Sequence, residues 1–319
     1  MKRPTRLIMS AIHGIILGVI VLLMQGCIGN KAVNCGVEVR FRYVKNPDTY
    51  LTGAEVDKFA QQVNSITLFL FDEKGIFIEQ FREESEYLNT GQGMRISLGS
   101  GNYKLVAWGN LCEDFEVPQC AGGLTSINEL LTRINHQSGS VDKHPAHLFF
   151  GSSDVKISGE ETYMSITIDL TKDTNYINVK KRGLPVSGDV AASDFKCTIT
   201  AYNEACNFDN TIVGDTRLTY TPQCSLDSDN HYISEFVTMR ELNGGEAQSK
   251  LIITYEPGGV LEKELINVPL TPLLLQVART GDLDIDDEFY LDVEFEFANG
   301  TAVISINGWV ITEDEWVLG

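Results

Sequence analysis

Leu291-Asp292-Val293-Glu294-Phe295-Glu296-Phe297 alternates apolar and acidic side chains without a break, Asn299-Gly300 follows, and Ala302 to Ile306 returns. Successive side chains on a strand point to opposite faces, so this period of two describes a hairpin with one dry and one wet face. Asn-Gly supplies the two positive-φ positions that a type I′ turn requires. Antiparallel strands of this kind bury their dry faces against one another as sandwiches. The same grammar recurs upstream. Met164, Ile166, Ile168 and Leu170 alternate with Ser165, Thr167 and Asp169. Ile66-Thr67-Leu68-Phe69-Leu70-Phe71 is β-branched and aromatic, and Asp72-Glu73-Lys74-Gly75 turns it into Ile76-Phe77-Ile78 as a hairpin. Met94 to Leu98, the turn Gly99-Ser100-Gly101-Asn102 and Tyr103 to Trp108 read as another. Tyr103 and Trp108 share a strand with Leu105 and Val106, which predicts core packing for both rings.

Beyond about residue 175 helical signals disappear. Phe195 to Tyr202, Lys250 to Tyr255 and Lys263 to Val268 are strands separated by turns such as Pro257-Gly258-Gly259. The first half carries two helix signatures. Thr52-Gly53-Ala54-Glu55 has capping-box spacing ahead of Val56, Phe59, Ala60 and Val63. Ser126-Ile127-Asn128-Glu129 repeats the device, with Ile127, Leu130, Leu131 and Ile134 as an apolar stripe. Helices this short need a sheet to lie on. The expected fold is all-β, with two tandem sandwich domains at residues 37–174 and 175–319, the first bearing two short covering helices.

The chain has 319 residues, 43% of them hydrophobic, the balance of a folded protein. With 25 Lys and Arg against 44 Asp and Glu its formal charge is −19, which repels phosphate backbones and excludes nucleic-acid binding. Lys2, Arg3 and Arg6 precede an apolar run from Leu7 to Met24 that stops at Gln25-Gly26-Cys27. This is the pattern of an export signal followed by a lipobox, with residues 1–26 removed, Cys27 acylated (palmitate-type chains) and residues 27–36 as a lipidated linker. The mature chain keeps every acidic residue and has no basic patch, so lipid rather than surface charge would hold it to a membrane.

Export permits disulfides. Cys112 and Cys120 bracket a short loop and are the expected pair; Cys206 and Cys224 are candidates for a second. Cys35, Cys197, Cys206 and Cys224 allow three connectivities, among which the sequence does not choose. No CxxC spacing supports a zinc or thioredoxin-type site. His144-Pro145-Ala146-His147 lacks the helical support and carboxylate of a zinc motif and reads as a surface loop. The acidic stretch from Asp282 to Glu288 has no EF-hand glycine in register and reads as a solvated turn. No nucleophile elbow, P-loop or dinucleotide fingerprint occurs, so neither an enzyme nor a cofactor or small-molecule substrate is expected.

Several phrases, in this order behind the lipobox, carry a resemblance: Val63-Asn64-Ser65-Ile66-Thr67-Leu68-Phe69-Leu70-Phe71-Asp72, Gly101-Asn102-Tyr103-Lys104-Leu105-Val106-Ala107-Trp108-Gly109-Asn110, Leu148-Phe149-Phe150-Gly151, Leu170-Thr171-Lys172 running into Ile177-Asn178-Val179, and Ile306-Asn307-Gly308-Trp309. Together they resemble the fimbrillin-associated anchor protein family, lipoprotein anchor subunits of type V pili. The resemblance implies transthyretin-like sandwiches, no enzymatic activity, fimbrial subunits as partners, and a place on the outer membrane as part of a fimbrium. Lys172 departs from the Arg common in that pattern.

The C-terminal segment carries Trp309, Val310, Ile311, Trp316, Val317 and Leu318 as candidate subunit-contact residues. It is either a terminal strand of its own sandwich or part of a strand-exchange contact with a neighbouring subunit. A cell-surface lipoprotein that binds glycan or host protein through exposed tryptophans is the alternative function.

Overall fold

The computed structural model describes residues 35–158, 163–184, 191–261, 263–298 and 301–315. The lipobox with Cys27, the Asn299-Gly300 turn, and Trp316, Val317 and Leu318 lie outside the described residues.

The first sandwich sets a three-stranded sheet against a five-stranded one. In the smaller sheet Gly36–Arg42 lies between Met164–Asp169, to which it is parallel, and Met94–Ser97, to which it is antiparallel. The larger sheet runs Thr171–Lys172, Phe149–Ile157, Gly101–Gly109, Ser65–Asp72, Phe77–Glu84. Val37, Val39, Ile96 and Ile168 from one sheet meet Leu68, Leu70, Leu105, Ala107 and Phe149 from the other.

The second sandwich sets six strands against five. The six-stranded sheet runs Gln223–Leu226, Tyr232–Met239, Thr174–Arg182, Glu288–Ala298, Thr301–Ile306, Trp309–Glu315. Its partner runs Lys263–Pro269, Lys250–Tyr255, Phe195–Ala201, Leu218–Tyr220, Ser140–Val141. The chain is therefore all-β and built from two sandwiches, and the closing hairpin pairs as its alternation requires, Val293 opposite Ile306 and Ala298 opposite Thr301.

The two halves interlock. The Ser65–Asp72 strand is buried on both faces: Leu68 and Leu70 serve the first core, while Phe69 and Phe71, with Trp108 and Phe150, join the core that continues into the second sandwich. An excursion between Cys112 and Leu148 covers that outer face with Phe115, Ile127, Leu130, Ile134 and Val141. The excursion then pairs with the second half. Leu131–Ile134 lies between Phe115–Glu116 and Ala205–Asn207 in a four-stranded sheet completed by Ile212–Val213. Ser140–Val141 runs parallel to Leu218–Tyr220 at the edge of the second sandwich.

Four elements depart from their local sequence pattern. Thr52-Gly53-Ala54-Glu55 does not start a helix: the helix runs Pro47–Thr52, capped by Asn46, and Gly53 ends it at φ 70°. Phe59–Gln62 is a separate single turn. The capping box at Ser126 does form, with Ser126 Oγ accepting from Asn128 N and Glu129 Oε1 from Ser126 N, but it caps a 3-10 turn of three residues, Ile127–Glu129. Its apolar stripe continues as a strand, because pairing with Ala205–Asn207 offers those backbone groups a ladder. Met94–Ser97 and Gly101–Gly109 are not a hairpin; the turn between them carries the chain from one sheet of the sandwich to the other. Lastly, Leu270–Val277 is a helix beyond residue 175, with Leu270, Leu273 and Leu274 buried at helical spacing and Pro272 in its first turn, where a missing N–H costs nothing.

Candidate functional site

Trp309–Glu315 is the outermost strand of the six-stranded sheet, joined to Thr301–Ile306 through Asn307 and Gly308. Both turn residues have positive φ, 53° and 79°, the conformation of a two-residue type I′ hairpin. The turn is pinned to its neighbour, as Asn307 N donates to Asp292 O (2.8 Å) and Asp292 N to Asn307 Oδ1 (2.9 Å). A register shift between Ile304 and Ser305 bends the outer pair. Ile311 packs against the core, whereas Trp309 and Val310 are 65% and 58% exposed. Among the described residues no strand pairs with the outer side of this one, so its free N–H and C=O groups form an open edge tipped by two large apolar side chains.

The opposite edge, Gln223–Leu226, is exposed along its length and carries Cys224 and Leu226. All six described cysteines are thiols. Cys112 and Cys120 each engage their own loop, Cys112 Sγ 3.6 Å from Asp114 Oδ2 and Cys120 Sγ 3.5 Å from Pro118 O. Burial raises both thiol pKa values. Cys206 is buried beside Asp173 and Arg240 at the junction of the two halves, while Cys224 stands opposite Ser234. The structure does not bring Cys206 and Cys224 together.

That junction is the polar feature sequence reasoning missed. Asp287 pairs with Lys172 Nζ (3.0 Å) and accepts from the buried Tyr43 hydroxyl (3.1 Å). Asp173, fully buried, accepts from Asn210 Nδ2 (2.9 Å), with Arg240 Nε at 3.7 Å. Burial pushes Asp173 up to about 6 and Glu241 up to about 7. The His144-His147 stretch is no surface loop but part of the interlock: His144 Nε2 donates to Glu235 O (2.7 Å) and His147 Nδ1 bonds Thr174 Oγ1 (3.0 Å). Burial, reinforced by the Lys172 ammonium, lowers His147 to about 4. The acidic stretch from Asp282 is likewise only half solvated, since Leu283, Asp286 and Asp287 are buried and Asp286 Oδ2 accepts from Thr280 N and Oγ1. Lys172-Asp173-Thr174-Asn175 held the available signal: polar residues amid strand patterning, where a wet face alone would not place four in a row.

Trp108 is fully buried against Phe69 and Phe150, as its strand context predicts, and Tyr103 is partly exposed on a cleft of about 880 Å³. Asp72, Lys74, Lys104, Asp154 and Lys156 line that cleft with charges of both signs, and the Lys104 ammonium sits over the Phe208 ring.

Fold and open edge together define a tandem β-sandwich protein with a free sheet edge that carries exposed apolar side chains. The chain belongs to the family of fimbrillin-A associated anchor proteins Mfa1 and Mfa2, whose pattern matches residues 32–315. It is 22% identical over 273 residues to the minor fimbrium anchoring subunit Mfa2 of Porphyromonas gingivalis, a match covering 81% of each chain. The solved fimbrial anchor protein Mfa2 from Porphyromonas gingivalis superposes with a TM-score of 0.71 at 21% identity, over 87% of this chain and 98% of that one. A solved Bacteroides ovatus protein, described as a candidate adhesin, gives 0.74 at 21% identity over 89% and 96%. At these identities the two superpositions carry the fold.

Proposed function

We propose that this protein is a non-enzymatic lipoprotein of the outer membrane that anchors or assembles a fimbria through β-strand contacts with fimbrial subunits. The observation that carries the reading is the open Trp309–Glu315 edge in a chain of the anchor family. A sheet edge with free backbone groups takes up an added strand, with main-chain hydrogen bonds for affinity and alternate side chains for specificity. Trp309, Val310 and Ile311, continued by Trp316, Val317 and Leu318, are the side chains proposed to serve that contact. The Gly26-Cys27 lipobox supports attachment through acyl chains on Cys27, from which a short linker reaches the first strand at Gly36. Residues 1–26 would be the signal peptide, 27–36 the linker, and 37–174 and 175–319 the two sandwich domains. Cys112 and Cys120 are proposed as a bonded pair in the exported chain, decided by peptide mapping without reduction.

Fractionation with a labelled fatty acid tests the attachment. Cys27→Ala is expected to lose label and membrane retention together; a variant that keeps both overturns the lipoprotein reading. Recovery of fimbrial subunits with the full-length protein from outer membrane tests the partner. Binding of glycan through the exposed Trp309 ring is the competing reading, and quenching of its fluorescence by soluble sugars would favour it.

A further inference from the structure

Cys224 lies on the exposed edge strand Gln223–Leu226, directly opposite Ser234, with its Sγ 3.9 Å from Ser234 Oγ. Ser234 in turn stands opposite Val179. Both are fully buried, so Ser234 and Val179 point into the second sandwich, and Cys224, exposed at the edge, lies in the same row on that face of the sheet. Two residues along the same face, Lys181 sends its Nζ across the interior to Phe195 O at 3.1 Å, and this contact registers one sheet over the other. Stepping two residues on each strand, from Lys181 to Val179 and from Phe195 to Cys197, lays that row over Cys197. Cys197 is buried on the inner face of the opposite sheet, and the Ser234 hydroxyl is a hydrogen-bond partner of its thiol too. Two sulfurs from two sheets converge on one hydroxyl.

We propose that Cys197 and Cys224 form a disulfide that clasps the edge strand Gln223–Leu226 to the opposite sheet of the second sandwich. The proposal rests on the export reading for its oxidising compartment. Cys206 is the poorer partner for Cys224. It sits beside Arg240, six residues beyond Ser234 along the chain, which at about 3.3 Å per residue is roughly 20 Å away. A disulfide spans Cα atoms only about 4.4–6.8 Å apart.

The oxidant is an exchangeable disulfide. Exposed Cys224 attacks it as a thiolate, forming a mixed disulfide and releasing one thiol. Cys197 then attacks Cys224 Sγ and expels the second thiol; the two protein protons pass to the two released sulfurs, and the oxidant leaves as two thiols. Burial holds the Cys197 thiol up at about 11, which makes the second displacement the slow one, and the nearby Lys181 ammonium favours its thiolate.

The test uses the full-length chain, reduced, exposed to glutathione disulfide, denatured, alkylated and mapped without reduction. The expected result is a linked peptide pair containing Cys197 and Cys224, absent from Cys224→Ser, and a melting temperature about 5 °C or more above that of the reduced chain. Cys224→Ser changes an exposed side chain and keeps the fold assessable. The proposal is overturned by Cys224 found only as a glutathione adduct with Cys197 free, or by Cys224 bonded to another cysteine. Chain recovered from cells separates the two readings: a pair that forms with glutathione disulfide yet is reduced in cells leaves the clasp geometry intact and removes the oxidising compartment.

Discussion

Gly36 has no room for a side chain, since a Cβ there would stand 2.0 Å from Ile96 O across the Gly36–Ser97 pair. Gly36→Ala must push the two strands apart, and we expect it to lower stability by about 2 kcal/mol or more, read by denaturant titration. His147 and Asp173 pull stability in opposite directions with pH. The folded value of His147 lies at about 4 against an ordinary 6.5, so the folded chain takes up that proton later than the unfolded one. Its contribution is full above about 6.5 and lost as pH falls towards 4. Asp173 is raised from 3.8 to about 6, so its contribution is full below about 4 and lost as pH rises through 6. The two offset each other in the window between. Asp173→Asn removes the Asp173 limb while those of His147 and Glu241 remain, and the melting temperature should fall more steeply between pH 6 and pH 4 than in the wild type; an unchanged slope would remove Asp173 from the account.

The closing hairpin was legible as an element because alternation and Asn-Gly state the same thing twice. Asn307-Gly308 makes a two-residue turn with positive φ at both positions, and its dipeptide was equally readable. The stripe from Ile127 to Ile134 was not, because its spacing suits a helix or a strand, and the deciding partner, Ala205–Asn207, lies some 70 residues away. The turn at Gly99 to Asn102 can close a hairpin or cross between sheets, and local sequence does not distinguish the two. Leu270, Leu273, Leu274 and Val277 did carry a helical period, obscured by Pro272 and by the strand-rich surroundings. For the candidate site, the apolar segment was visible, but its position at a sheet edge depends on pairing order. Val310→Asp probes that edge: at 58% exposure the melting temperature should stay within about 2 °C, while recovery of fimbrial subunits should drop at least several-fold. Gly308→Val, which forces a β-branched residue to φ 79°, should lower both stability and recovery.

At the scale of the whole molecule the first sandwich keeps a core between its own sheets, while a second core runs from its outer face into the second sandwich and strands of the two halves pair, so neither half is a complete unit. Residues 37–174 alone would expose Leu130, Ile134 and Val141, and residues 175–319 alone would lose the Leu131–Ile134 and Ser140–Val141 strands. We expect a single calorimetric unfolding transition for residues 27–319, with calorimetric and van't Hoff enthalpies in agreement, and aggregation of either half expressed separately. Two resolved transitions would contradict the interlock.

The Gly36–Arg42 strand is hydrogen-bonded on both sides and leads directly to Tyr43, whose hydroxyl meets Asp287 of the other half. A tether at Cys27 would pull on the Cys35 end of this strand, while a fimbria held by the second sandwich would pull from beyond its other end. Tension then runs along the strand axis and loads both ladders in shear, all bonds at once, instead of unzipping them one after another. Single-molecule stretching between residue 27 and the C-terminal strand should accordingly give a rupture force well above that for peeling the same strand sideways, a mechanical strength set by the position of the first strand.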